Sequence, residues 1–421
     1  MLYEQDRDEV EAMDTDPPVT PVTDPIPNVW ERLMKKHRKS VAPSKGLIRS
    51  VHLPNSQSCS TLAQETTLTS QQQPARSDSN IYSSLNLQLE ATYVAEGHTK
   101  PVLDLDISGH LCLTASADRT AKLWDLNALT ETLTIRGHTN SVNKAKFHPE
   151  DPNMLFTVCA FFACMWDMRE LQKPVHVLSS RGTSSSRMPE LSSFMNIRQN
   201  VCPPGESIIS DISLNGNQLL MAAATTVRLW DMRRPSALGF LSGHQGAVTV
   251  LHGQQSESDL LLATGSKDHT VRLFELNPYS CGCLSPVLEL EPPHYDGVEA
   301  VVLDRENRLF SSSRDGMLKA WQLSREGGLT ATPLFSLHKA HKDSSQLAMA
   351  ETFLVSGCRS GCLKVWNAAA EVEDASRLIC EQHLVSPTGK DNGINALETS
   401  GTRLFTAHND ATAKFWQIKG L

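Results

Sequence analysis

The 421-residue chain lacks the short motifs on which most catalytic sites are built. It contains no Gly-x-x-x-x-Gly-Lys-Ser/Thr loop that could cradle phosphates, no Gly-x-Ser-x-Gly turn that could present a nucleophilic serine, and no His-Glu-x-x-His helix that could bind zinc. Each missing motif removes a common route to catalysis. We therefore expect a protein that is not an enzyme and that uses no cofactor.

Long hydrophobic runs are also missing. No stretch approaches the roughly 18 uncharged apolar residues that a membrane-spanning helix requires, and the first thirty residues are acidic and rich in proline. The ten cysteines lack the dense spacing of a disulfide scaffold, and several lie inside apolar, strand-like runs. We expect no membrane span, no secretory signal and reduced thiols in the cytoplasm.

The chain also lacks an excess of basic residues, because its net charge is -8. A dedicated nucleic-acid binder normally carries a strongly basic domain, so nucleic acid is not an expected partner. Cys281 and Cys283, with His294 nearby, raise the question of a metal site. Zinc normally takes four ligands from paired, closely spaced motifs, so no metal is expected there.

Residues 1–88 differ in composition from the rest of the chain. They are rich in Asp, Pro, Ser, Thr and Gln and contain few aromatic residues, which predicts a disordered leader that cannot bury enough apolar area to fold. Residues 28–37 place apolar groups at helical spacing and end in basic residues. They predict either a transient helix in a linker or a short helix that binds a partner.

A short sequence motif repeats through residues 89–421. An apolar residue, an aromatic residue and a polar residue recur seven times, with the aromatic residues at Trp124, Trp166, Trp230, Phe274, Trp321, Trp366 and Trp416. Successive aromatic positions lie 42, 64, 44, 47, 45 and 50 residues apart. All but one of these intervals are close to a period of about 40–45 residues. The long interval contains a Ser-rich insertion at about 179–200.

Other elements recur at fixed places in each repeat. Gly-His pairs precede the aromatic residue at Gly97-His98, Gly137-His138 and Gly243-His244, with looser equivalents expected at His294, His341 and His383. A strand of small residues and a turn carrying Asp follow each pair. This order is that of the WD repeat, and residues 89–421 resemble the WD40 family. The resemblance implies an all-β fold, a seven-bladed β-propeller.

Closure of the ring makes a separate prediction. The last repeat has no outer strand of its own, whereas residues 91–95 stand where the outer strand of a preceding blade would be. An open ring would expose the edges of its first and last sheets. We therefore expect residues 91–95 to complete the seventh blade.

Four residues of the first repeat contain the raw materials of a hydrolase triad: His98, Ser116, Asp118 and Trp124. In WD repeats these residue types form a buried hydrogen-bond network, in which the Asp fixes the His and the Ser is expected to relay to the Trp N–H. A second copy, without the Trp donor, is expected at His244, Ser266 and Asp268. The second repeat has Phe161-Phe162 instead of the Asp turn, which predicts apolar packing there.

In a propeller, the turns that carry the Asp and the segments leading into each innermost strand meet on one face around the central channel. These turns carry six basic residues as candidate partner-binding positions: Lys100, Arg119, Lys267, Arg314, Lys342 and Arg359. The network Asp residues should point inward. This pattern predicts either a partly basic rim suited to acidic partners or an ordinary solvated distribution of charge.

The amino-acid sequences of several segments point to a narrower family than the repeat pattern does. Four segments resemble the C-terminal propeller of kinesin-4 motors that carry WD40 repeats: Ala95–Leu103, Gly265–His269, Glu291–Ala300 and Leu354–Arg359. Residues 28–33 resemble the segment that precedes that propeller. Pro292-Pro293-His294-Tyr295 is the most specific phrase, because ordinary WD repeats have a Gly-His pair there. The resemblance implies a tail domain that engages microtubules or cargo. The 421 residues contain no motor head and no long coiled coil, so ATP hydrolysis is not expected.

A second function remains open at this point. The propeller could recognise a substrate or peptide within a multiprotein assembly such as a ubiquitin ligase, a role that normally requires an adaptor helix. Residues 28–37 are the candidate for such a helix, and they are short. Both functions imply protein partners, and neither predicts an oligomeric state.

Overall fold

The computed structural model describes residues 87–185, 206–255, 259–343, 345–368, 377–384 and 392–420. Within these ranges the chain forms strands and turns, without a helix, in seven sheets. No helix that could cross a membrane is found in the part of the chain that is described. Residues 1–86 of the predicted leader, with its helix at 28–37, and most of the Ser-rich insertion lie outside these residues. The last two residues predicted for the leader belong to the propeller, because Leu87 is buried and Gln88 begins the first strand.

Each sheet is one blade, and its strands follow one another along the chain. The first strand, β1 (Gln88–Glu96), belongs to the last blade. Blade 1 consists of β2 (Val102–Ser108), β3 (Leu111–Ser116), β4 (Ala121–Asp125) and β5 (Thr130–Ile135). Blade 2 consists of β6 (Val142–Phe147), β7 (Met154–Cys159), β8 (Phe162–Asp167), β9 (His176–Ser179) and the short β10 (Ser184–Ser185).

A short strand from the outer loop of blade 4 is added to the sheet of blade 3. Blade 3 consists of β11 (Ile209–Asn215), β12 (Gln218–Ala223), β13 (Thr226–Asp231) and β14 (Ser236–Leu241), and β18 (Gly282–Leu284) joins it in parallel with β14. Blade 4 consists of β15 (Val248–Gln255), β16 (Leu260–Ser266), β17 (Val271–Leu276) and β19 (Leu288–Glu289). The loop from blade 4 therefore extends the sheet of blade 3 before it returns.

The last three blades are regular. Blade 5 consists of β20 (Val298–Leu303), β21 (Arg308–Ser313), β22 (Leu318–Ser324) and β23 (Thr330–Leu337). Blade 6 consists of β24 (Ser345–Ala350), β25 (Phe353–Cys358), β26 (Cys362–Asn367) and β27 (Leu378–His383). Blade 7 consists of β28 (Ile394–Ser400), β29 (Arg403–His408) and β30 (Thr412–Lys419), followed by β1. The predicted all-β, seven-bladed fold is confirmed.

The hydrophobic core lies between adjacent blades. Every residue of β3, β7 and β12 is buried, because these second strands have a partner strand on each side and a neighbouring blade on each face. One cluster joins Phe156 and Val158 of blade 2 to Leu219 and Trp230 of blade 3. Each blade therefore needs both neighbours to bury its apolar residues.

Charged side chains fasten the innermost strands around the central channel. The Asp104 carboxylate accepts a hydrogen bond from the Ala145 N–H at 3.0 Å, and the Asp106 carboxylate accepts one from the Phe147 N–H at 2.7 Å. The ammonium group of Lys144 lies 3.4 Å from Asp104 and 3.3 Å from Asp211. These contacts keep neighbouring first strands parallel and in register.

The ring is closed by strands from opposite ends of the described chain. β1 pairs antiparallel with β30 from Gln88↔Lys419 to Glu96↔Thr412. The rings of Tyr93 and Phe415 pack with centroids 5.2 Å apart. The predicted closing segment, residues 91–95, lies within β1, so this expectation is confirmed.

We expect deletion of residues 89–96 to destabilise the propeller far more than deletion of residues 1–84. The first deletion removes the backbone hydrogen bonds between β1 and β30, worth roughly 0.5–1.5 kcal/mol each, and exposes the edge of β30. Thermal unfolding of the two variants beside the full chain would measure the difference. Equal melting temperatures would contradict this account of closure.

Candidate partner-binding rim

One face of the propeller collects equivalent turns from all seven blades. In each blade, the segment leading into the first strand lies beside the turn between the second and third strands. Backbone hydrogen bonds join the two, as from Ala117 N to Pro101 O at 3.0 Å and from Arg314 N to Gly297 O at 3.1 Å. Because the first strands run parallel around the channel, these turns share one face, which we call the rim.

The rim turns share a backbone conformation that the sequence analysis missed. Each turn between the second and third strands contains a residue at positive φ, between 51° and 80°: Arg119, Ala160, Ala224, His269, Gly316, Gly361 and Ala411. The first five of these residues accept a hydrogen bond through their carbonyl group from the segment leading into the next blade, such as His269 O from His294 N at 3.0 Å. Gly361 O accepts from Leu384 N at 2.7 Å, directly after β27 of the same blade. Non-glycine residues at positive φ are strained, and at Arg119, Ala160, Ala224 and His269 the inter-blade bond offsets part of that strain.

The structure places all six predicted basic residues on the rim, and all six are exposed. Lys100, Arg119, Lys267 and Lys342 form no ion pair with another described residue. Arg314 and Arg359 differ, because both face the carboxylate of Glu299, which forms an ion pair with Arg314 and lies 3.9 Å from Arg359. The free positive charge is therefore concentrated on the three lysines and Arg119.

An exposed aromatic side chain also lies on the rim. Tyr295, in the segment leading into blade 5, is 76% exposed, and its backbone N–H donates to Asp315 at 2.9 Å. The ammonium group of Lys319 lies 5.9 Å from the centroid of the Tyr295 ring, a cation–π distance. Sequence reasoning quoted Tyr295 only for the family resemblance. Its position in a rim segment, directly before Asp296, was the signal that could have identified it.

The buried network of blade 1 forms, with one difference from the prediction. His98 Nδ1 lies 2.8 Å from Asp118, and His98 Nε2 lies 2.9 Å from the hydroxyl group of Thr114. The Trp124 N–H donates to that same hydroxyl group at 2.9 Å. The predicted relay through Ser116 is wrong, because Ser116 is bonded to the carbonyl of Pro101 at 3.0 Å. Ser116 lies two residues further along the strand, nearer the turn, beyond the reach of the indole.

Blade 2 keeps the relay without the Asp. His138 Nε2 lies 2.8 Å from the Thr157 hydroxyl group, to which the Trp166 N–H donates at 2.8 Å. The carbonyl group of Arg119, 3.3 Å from His138 Nδ1, stands where the Asp would be. Phe161 and Phe162 are buried at the turn. The prediction of apolar packing in this blade is therefore only partly correct, because the hydrogen bonds among His138, Thr157 and Trp166 are also present.

Blades 4 and 7 show two further variations. In blade 4, His244 lies 2.8 Å from Asp268 and 2.8 Å from Thr264. Phe274 stands at the Trp position, so the indole N–H donor is missing there, as expected. Ser266 bonds the backbone N–H of Asp268 at 3.1 Å, as Ser116 does for Asp118.

In blade 7 the histidine of the network comes from its own strand. His408 lies 2.7 Å from the Thr406 hydroxyl group, which accepts from the Trp416 N–H at 2.8 Å. The expected equivalent, His383, is exposed on β27 of blade 6, so that expectation is wrong. His408 thus reaches the threonine hydroxyl group from the second strand of blade 7, whereas the histidines of blades 1, 2, 4, 5 and 6 come from the segment leading into the first strand.

Blades 5 and 6 place their histidines as expected. His294 Nε2 lies 2.6 Å from Ser311, and His341 Nε2 lies 2.6 Å from Ser356. In blade 5 the Trp321 N–H donates to the carbonyl group of Glu291 at 2.8 Å instead of to the serine. These groups are engaged in structural hydrogen bonds, and the four candidate triad residues of blade 1 are engaged in the same way.

Comparison with known proteins agrees with this fold. Residues 89–125 and 236–275 match the WD40 family, described as WD domain, G-beta repeat. With seven blades closed into a ring, the chain is a WD40-repeat β-propeller. Folds of this kind generally serve protein interaction.

The chain is similar to kinesin-like proteins. It is 36% identical to the human kinesin-like protein KIF21A over 339 residues, which is 79% of this chain and 19% of that protein. It is 35% identical to human KIF21B over 340 residues, covering 79% of this chain and 20% of that protein. The kinesin-like protein klp-12 of Caenorhabditis elegans is 33% identical over 342 residues, 77% of this chain and 20% of that protein. The chain thus spans about a fifth of the length of these relatives.

We expect Thr114→Val to cost more stability than Thr264→Val. Both changes remove a buried hydroxyl group bonded to a histidine, but only the first also leaves an indole N–H without its acceptor. Each buried group left unsatisfied costs about 1–3 kcal/mol, so the two losses should differ by about that amount. Urea unfolding of both variants would measure the difference, and equal losses would contradict the relay through Thr114.

Acid should destabilise the fold through its buried histidines. Burial lowers the pKa of His138 and of His408 to about 4 each. The unfolded chain, with histidine pKa values near 6.5, binds protons that the folded state does not bind. Stability is therefore lost as the pH falls from about 6.5 to about 4. Glu398, whose pKa is raised to about 7 by burial, offsets one of these protons.

His138→Gln should flatten this pH dependence, because it removes a contribution of roughly 3 kcal/mol between those limits. Unfolding free energies measured between pH 4 and pH 7.5 would test the expectation. A variant with the slope of the parent protein would contradict the assignment to His138.

Proposed function

We propose that this propeller is a non-enzymatic interaction platform whose rim binds an acidic protein surface, with tubulin in microtubules as the partner. The observation that carries the proposal is the cluster of exposed, unpaired cations on one face: Lys100, Arg119, Lys267 and Lys342. Loops held by a rigid scaffold are where binding residues are commonly placed. The similarity to kinesin-like proteins supports a partner in the cytoskeleton.

The arrangement of the rim suits such a surface. The four free cations come from three blades, namely blades 1, 4 and 6, so they face a broad partner instead of a narrow pocket. Tyr295 adds an exposed aromatic side chain beside them, and aromatic residues are enriched among the residues that dominate binding energy. The proposal implies a cytoplasmic location beside microtubules, where the same rim could also hold cargo.

Co-sedimentation of the full chain with microtubules across a salt series tests the proposal. We expect binding that weakens with salt, because exposed charges are screened over about 8–10 Å at physiological ionic strength. Lys100→Glu, Lys267→Glu and Lys342→Glu together should lower the affinity at least tenfold. These three residues form no ion pair with a described residue, so their reversal breaks no described ion pair.

A matched control reverses the same amount of charge on the opposite face. Arg233 and Arg325 are exposed in turns at the other end of the blades, and Arg403 is exposed at the start of β29 at that same end. Arg233→Glu, Arg325→Glu and Arg403→Glu together should leave most of the binding intact. Equal losses in both variants would show attraction by net charge alone and would contradict a site on the rim. Absence of binding at low salt would contradict tubulin as the partner and favour recognition of a peptide within an assembly.

A further inference from the structure

Blade 6 departs from blades 1, 4 and 7 at its rim turn. In blades 1, 4 and 7 the turn Asp accepts a hydrogen bond from a threonine two residues later, as Asp118 does from Thr120 at 2.6 Å and Asp410 from Thr412 at 2.6 Å. In blade 6 the same two positions are Ser360 and Cys362. The usual turn contact is thus replaced, and a sulfur stands where the hydroxyl group would be.

The outer strand brings two further ligand-type side chains to this sulfur. Cys362 lies directly opposite His383, and Lys364 lies opposite Glu381. Because side chains alternate along a strand, Glu381 and His383 share the face of the sheet that carries Cys362. Cys362 Sγ lies 3.2 Å from Glu381 Oε1, and His383 Nε2 lies 3.5 Å from the same oxygen. The three ligand atoms all lie within 4.8 Å of one another.

These distances match the coordination geometry of a small metal ion. Bonds of about 2.0–2.3 Å to a tetrahedral zinc ion place neighbouring ligand atoms roughly 3.3–3.8 Å apart. The two short distances are therefore close to the edges of such a tetrahedron. A thiolate, an imidazole and a carboxylate together are a ligand set that suits zinc better than magnesium or calcium, which prefer oxygen ligands alone.

We propose that Cys362, Glu381 and His383 bind a zinc-type divalent ion on the outer edge of blade 6, with water as the fourth ligand. Binding displaces the thiol proton of Cys362 to solvent. Lys364, 3.5 Å from Glu381, gives up that ion pair and keeps its contact with the Trp366 ring, whose centroid is 5.6 Å away. The ion then joins β26 to β27 beside the rim.

Other cysteines must be separated from this site in any test. Cys281 and Cys283 are exposed free thiols in blade 3, so they could bind metal weakly on their own. His294, which accompanies them in the sequence, is bonded to Ser311 at 2.6 Å. The double variant Cys281→Ser, Cys283→Ser serves as the background protein. In it, a thiolate signal cannot arise from these two exposed thiols.

The experiment is a Co²⁺ and Zn²⁺ titration of the reduced, metal-stripped full chain in that background. We expect one ion per chain, visible as tetrahedral Co²⁺ bands together with a thiolate-to-cobalt charge-transfer band, and zinc should displace the cobalt. His383→Ala should weaken binding by more than about tenfold, since even residues that only support a ligand contribute about that much. The side chain of His383 is 62% exposed, so this variant should fold.

His338→Ala is the matched control, because His338 is exposed and directly follows the outer strand of blade 5. It should leave the titration unchanged. Cys362→Ser should abolish the charge-transfer band, and zinc should raise the melting temperature of the background protein but not that of its His383→Ala variant. No binding, binding insensitive to His383→Ala, or a charge-transfer band that survives Cys362→Ser would each overturn the site.

Discussion

The pairing of β1 with β30 builds the seventh sheet from both ends of the propeller, and the other six blades depend on it. Every core cluster is shared by two adjacent blades, so a blade with one neighbour would leave much of its apolar surface in water. The cluster that contains Leu87 also contains Val355 of blade 6 and Ile418 of β30. Closure therefore stabilises the packing on both sides of the last blade, as well as covering an exposed edge.

The rim inherits its rigidity from this closed ring. Five inter-blade hydrogen bonds to carbonyl groups of the rim turns, and aspartates such as Asp104 that reach the next first strand, hold neighbouring turns at fixed spacing. Charged side chains that project from fixed turns lose less entropy on binding than those on mobile loops. A partner thus meets a preorganised pattern of charge, in which Glu299 neutralises part of one sector and leaves the lysines of the others free.

The blade number and the closing strand could be predicted from the sequence because both follow from a period. The seven aromatic positions locate the third strands, and residues 91–95 precede the first repeat at the place of an outer strand. The acceptor for Trp124 could not be chosen in this way, since Thr114 and Ser116 are both hydroxyl residues on one face of β3 and only the pairing register separates them. His408 and Glu299 were missed because each acts through a contact that a repeat pattern does not encode.

The direction of β1 has a mechanical consequence. Its Gln88 end lies beside Lys419, and its Glu96 end lies near the rim. A pull on the chain preceding Gln88, against a partner held on the rim, would draw β1 along its own axis. All of its hydrogen bonds to β30 would then carry the load together in shear, whereas a pull between Gln88 and Lys419 would open the same bonds one after another. The same strand that closes the ring would thus resist tension in one direction and yield to it in the other.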